Sequence, residues 1–133
     1  MRALATSYLA AGLVMGVLDF LWLRTMDPIY RQAFGAVLAE KPDMSAAIAF
    51  YLVYLAGVVV FAIRPALEGG DWRTALLMGG LFGLFAYATY DLTNLATLKV
   101  WSLKMSLLDM AWGALLTGVA ASAGAAAGLA LKR

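Results

Sequence analysis

Four stretches, at roughly 3–23, 44–64, 73–98 and 106–131, are almost free of charge, and each reaches the ~20 apolar residues a helix needs to cross a bilayer. In lipid every backbone amide must find its partner within the segment, so a spanning stretch of this kind has to be helical. At 133 residues the chain has little length left for anything else. Only 14% of its residues are charged and its mean hydropathy is +0.84, whereas charged residues make up about a quarter of a soluble domain. The expected fold is therefore all-α: one polytopic domain, a four-transmembrane-helix bundle running up-down-up-down.

The first span resembles a signal peptide at Met1-Arg2. It runs on into Asp19-Phe20-Leu21-Trp22 with no small-residue cleavage site, and so reads as retained. Gly12 and Gly16 are spaced for close helix contact. The connection from Arg24 to Asp43 is the only long one. Its Ile29, Ala33, Phe34 and Val37 recur at helical spacing, which predicts a short amphipathic surface helix between spans 1 and 2. The second span carries Tyr51, Tyr54 and Gly57 and is expected to stop at Arg64-Pro65. Asp71 or Thr74 is placed to cap the third helix, and a short link holding Lys99, Trp101 and Lys104 leads to the fourth. Tight links set consecutive helices side by side and antiparallel.

The third span ends in Phe85-Ala86-Tyr87-Ala88-Thr89-Tyr90-Asp91-Leu92-Thr93-Asn94, where a carboxylate sits in an oily helix. An ionised acid at mid-membrane costs roughly 2.5–3.5 kcal/mol on insertion scales, so Asp91 should face protein or water. Tyr87 and Asn94 share its helical face and Tyr90 adjoins it. Gly79 and Gly83 continue that face backwards at steps of four, which turns it inward. In the fourth span Asp109, Gly113, Thr117, Ala121 and Ala125 form a second such stripe.

Topology brings Asp19, Asp91 and Asp109 toward one membrane face, each about 5–12 Å below the interface at 1.5 Å per helical residue. Like charges in one site cannot all ionise cheaply, so the cluster suits a proton or a cation. Trp22, Trp101 and Trp112 lie at the same level, either lining the cluster or serving as belt residues at the headgroups. Lys99, Lys104 and Arg24 can reach either the acids or lipid phosphate. The absence of Cys and His removes disulfide, thiolate, imidazole-metal and histidine-switch chemistry. No cofactor and no metal centre are expected.

Basic residues divide evenly: Arg2, Arg64, Arg73, Lys132 and Arg133 on the side of the termini, Arg24, Arg31, Lys41, Lys99 and Lys104 opposite. The positive-inside rule then has no majority to act on. The amino terminus and the basic C-terminal pair favour cytoplasmic termini, and the even split also suits insertion in both orientations.

Asp19-Phe20-Leu21-Trp22-Leu23, Phe50-Tyr51-Leu52-Val53-Tyr54 with Gly57, the run Gly83 to Thr97 and Asp109-Met110-Ala111-Trp112-Gly113 together resemble a bacterial family of small inner-membrane proteins, domain of unknown function 2177. The resemblance covers essentially the whole chain. It implies the multi-span topology and a bacterial inner-membrane location, but no activity.

Three functions fit the residues. The first is binding or proton-linked transport of a cation or amphipathic small molecule at Asp19, Trp22, Tyr87, Tyr90, Asp91, Asn94, Asp109 and Trp112. The second is an enzyme acting on a lipid or isoprenoid, with Asp91 and Asp109 as acid and base. The third is a structural or accessory protein whose acids tie helices together. Membrane lipids are expected partners. A net charge of +2 gives no basis for nucleic acid, and homo-oligomerisation stays open.

Overall fold

The computed structural model describes residues 1–132, and among them the chain forms four helices and no strand. These are α1 (Arg2–Phe34), α2 (Met44–Gly69), α3 (Trp72–Thr97) and α4 (Leu103–Ala130), each long and apolar enough to cross a membrane. The bundle expected from the sequence is the fold.

Polar caps start three of the helices. Asp43 accepts hydrogen bonds from the amides of Ser45 and Ala46, Asp71 from that of Arg73, and Ser102 from that of Met105. Only Gly70 and Asp71 separate α2 from α3, and Gly70 makes that reversal in a left-handed conformation at φ 72°.

α4 is the hub. Half of its most apolar window is buried, against 22–28% for the other helices. Its small residues set the distance to its neighbours. A methyl group at Gly79 would lie 2.7 Å from the Ala121 Cβ, and one at Gly83 would lie 2.6 Å from the Thr117 hydroxyl, so α3 and α4 meet backbone to backbone. Farther along, Gly124 admits α1 at Ser7, where a methyl would come within 2.7 Å of the Ser7 carbonyl oxygen. Without a hydrophobic driving force between helices in lipid, such close approach is the main source of cohesion. The outer faces carry exposed Leu9, Leu13, Val53, Phe61 and Leu77, as a lipid-facing surface should.

Three expectations need correction. The amphipathic stretch between spans 1 and 2 is helical, but it is not a separate surface helix: α1 runs unbroken through Pro28 to Phe34. Asp19, Trp22, Met26, Tyr30 and Phe34 recur at steps of three and four, so the helix keeps presenting a packed face past the proline. Pro28 itself is exposed and removes a single ladder bond. Pro65 does not end the second span either. A π turn at Val59–Ile63 widens the helix just before it, the Arg64 amide bonds back to the Val59 carbonyl, and Pro65 enters as at the start of a fresh helix. Finally, of Gly12 and Gly16 only the first meets a neighbour: a methyl at Gly12 would come within 3.1 Å of Leu55 Cδ1, whereas space is open around Gly16, and the buried stripe of α1 runs through Ser7, Ala11 and Met15.

Candidate functional site

The acids do converge. At the end of the bundle where α1, α3 and α4 rise together, Asp19, Asp91 and Asp109 line one recess of about 620 Å³. Each helix delivers its acid by the packing that holds the bundle. Asp19 is the next step after Ser7, Ala11 and Met15 on the buried stripe of α1, Asp91 follows the Gly79 and Gly83 seam of α3, and Asp109 precedes Gly113 and Thr117 on α4.

The walls are aromatic. Trp22 and Trp112 stack face to face with ring centres 4.4 Å apart and planes 4° from parallel. Phe34 stacks on Trp101 at 4.2 Å, and Tyr90 meets the same indole edge-on at 5.6 Å. Tyr87 lies over Gly113, whose missing side chain makes room for the ring. Leu23, Leu38, Ala39, Pro42 and Met105 complete a mostly apolar lining. The mouth is marked by Asp27 and Arg31, an exposed pair 2.9 Å apart, four residues apart on α1.

Hydrogen bonding within the recess is directional. The Trp22 indole donates to the Tyr30 hydroxyl at 2.9 Å, and Tyr30 donates to Asp109 Oδ1 at 2.6 Å. Trp112 donates to Asp19 Oδ1 over a longer 3.4 Å. The Trp101 indole is engaged with Ser106 at 2.9 Å. Asp91 is different. It is 2% exposed, and its Oδ2 has no hydrogen-bond partner. Asp109 lines the same recess from α4.

The charge of the lining is one-sided. Asp19, Asp27, Asp91 and Asp109 against Arg31 leave it, when all are ionised, three units negative (four minus one), and Arg31 is committed to Asp27. A buried acceptor without a donor costs about 1–3 kcal/mol, more when charged, so the arrangement has unspent affinity for a positive donor.

A family model described as "Predicted membrane protein (DUF2177)" matches residues 4–126. The chain belongs to that family. No curated protein and no solved structure matches it. The DUF2177 match reaches into all four helices and takes in every acid and aromatic residue of the recess.

Most of the residues singled out in the sequence meet here, with one exception. Asn94 does not line the recess, and its side chain makes no hydrogen bond to Asp91; half-buried, it lies one turn beyond Asp91 toward the end of α3. Neighbouring Thr89, Thr93 and Thr97 are satisfied by bonding back to the carbonyls of Phe85, Thr89 and Thr93, so the polar end of α3 is largely self-contained. Lys99, Lys104 and Arg24 make no ion pair with the acids: the two ion pairs among the described residues are Asp27 with Arg31 and Arg64 with Glu68. Tyr30 and Phe34 are not evident as site residues from the sequence, where the chain beyond Leu23 reads as a separate element. The signal that would have found them is the uninterrupted stripe Ser7, Ala11, Met15, Asp19, Trp22, Met26, Tyr30, Phe34, which no helix boundary crosses.

Proposed function

We propose that this membrane protein binds an amphipathic organic cation in the recess between α1, α3 and α4 and exchanges it for a proton. The observation that carries the reading is Asp91, a buried carboxyl group facing a cavity with one oxygen unpartnered. An intramembrane acid is costly to keep, and a structural role would close its hydrogen bonds within the protein. A recess of about 620 Å³ falls within the 300–1,000 Å³ typical of small-molecule sites. Its aromatic walls suit an apolar body and offer ring faces to a cation. Repulsion among the three acids is relieved by either a proton or the ligand's charge, and this makes the two competitors. The even division of basic residues is compatible with a bacterial inner-membrane location with both termini in the cytoplasm, which puts the recess at the outer face.

Titration of the detergent-solubilised protein with tetraphenylphosphonium and with 2-(1-naphthyl)ethylamine, followed by tryptophan fluorescence, tests the reading. At least one should bind saturably, and Asp91→Asn should abolish binding while melting near the wild-type temperature. Binding of neither, or equal binding by a folded Asp91→Asn protein, would overturn it.

A further inference from the structure

The arrangement of donors inside the recess narrows the ligand further, taking as its basis the binding reading above. Every indole N–H there is already used: Trp22 on Tyr30, Trp112 on Asp19, Trp101 on Ser106. The Tyr30 hydroxyl is used on Asp109, and the Arg31 guanidinium on Asp27. The phenols that remain, Tyr87 and Tyr90, donate to none of the three acids. What the recess presents to an occupant is thus an excess of hydrogen-bond acceptors, the most deeply buried being Asp91 Oδ2.

From this we infer that the ligand is an N–H-bearing organic cation, a protonated amine on an aromatic or aliphatic body, and that its quaternary counterparts are discriminated against. A quaternary ammonium or phosphonium carries the same charge and satisfies the aromatic walls through cation–π contact. It brings no donor, so it leaves Asp91 Oδ2 buried without a hydrogen bond. Sites built to hydrogen-bond an N–H or O–H reject the analogue lacking it far more strongly than apolar pockets reject a change of shape, because their own polar groups are left unpaired. With both acids lining the recess, the ammonium can turn one N–H toward Asp91 and another toward Asp109. A primary or secondary amine can do this and a trimethylated one cannot.

Isothermal titration of the wild-type protein with 2-(1-naphthyl)ethylamine and with its N,N,N-trimethyl derivative separates the possibilities, with Asp91→Asn as the control for the site. The amine is expected to bind at least about tenfold more tightly than the quaternary compound. Equal or inverted affinities for the pair, with both lost in Asp91→Asn, would overturn the donor requirement and leave the cation-binding reading standing. Binding of neither compound would overturn the donor requirement, and with tetraphenylphosphonium unbound as well, the cation-binding reading too.

Discussion

The Tyr30 hydroxyl donates to the Asp109 carboxylate at 2.6 Å across 79 residues of sequence, which ties the outer end of α1 to the start of α4. The same oxygen accepts the Trp22 indole, so one phenol closes a relay from wall to floor of the recess. Tyr30→Phe keeps the ring and removes both bonds. It should destabilise the protein by about 1 kcal/mol, near the upper part of the range for interhelical bonds in membranes, and leave Asp109 free to take a ligand donor. Equilibrium unfolding in mixed micelles measures the first effect and amine titration the second. An unchanged midpoint would show the bond to be dispensable.

The α3–α4 seam makes a contrast between adjacent glycines. A methyl at Gly83 would meet the Thr117 side chain at 2.6–2.7 Å and press on the Gly113 carbonyl, whereas at Gly80 its nearest neighbour is the Ala114 carbonyl oxygen at an ordinary 3.6 Å. Gly83→Ala is expected to cost about 1–3 kcal/mol by overpacking, and Gly83→Leu more. Gly80→Ala should change little. Thermal unfolding in detergent decides the matter, and equal behaviour of the two alanine variants would contradict the seam.

Trp22 and Trp112 stack across the α1–α4 interface. A double-mutant cycle with Trp22→Leu and Trp112→Leu should return a coupling of about 0.5–1.5 kcal/mol, the range for aromatic pairs. A coupling of zero would mean that the two rings are merely adjacent.

Cation binding should weaken as pH falls, because protons compete for the same carboxylates. The groups facing Asp91 are Asp19, Asp27, Tyr30 and Arg31 from α1, Tyr87 and Tyr90 from its own helix and Asp109 from α4. With one proton exchanged per cation, affinity declines by up to about tenfold per pH unit once the acids begin to protonate. The amine stays charged throughout that range. Affinity measured across several pH values gives the slope, and a flat profile would exclude exchange.

With no native cysteine, the chain accepts single reporters cleanly. Glu68→Cys in the last turn of α2 and Lys41→Cys just before its start should react with an impermeant maleimide from opposite sides, and on the proposed orientation Glu68→Cys reacts from the cytoplasm. Labelling of each from both sides would indicate dual insertion.

Much of this arrangement was legible in the residues. Span count and order follow from apolar length, which lipid enforces strictly. The inward turn of Asp91 and Asp109 follows from glycine and threonine at steps of four, because small side chains mark where backbones approach. What was not legible were the points where tertiary context overrides a local rule. The stretch past Leu23 reads as a separate surface helix and Pro65 as a helix end. The first instead continues α1, which goes on burying Met26, Tyr30 and Phe34 past Pro28, and Pro65 is tolerated because a π turn re-aims the chain ahead of it. Asn94 read as a partner of Asp91 by spacing alone, yet an i+3 neighbour bonds only when both side chains lean toward the same space. Gly16 has the spacing of a contact and no neighbour to receive it, unlike Gly12, which meets Leu55, since spacing says nothing of which side a bundle fills.

The glycine seam also determines how the cavity can move. Two of the three rods that enclose it are in direct main-chain contact, so that jaw is fixed. The other jaw is the stretch of α1 beyond Pro28, whose Tyr30 and Phe34 meet Asp109, Trp101 and Met105 through side chains. On the binding reading proposed above, entry of a guest is expected to displace this outer segment, with the Tyr30 to Asp109 bond as its clasp.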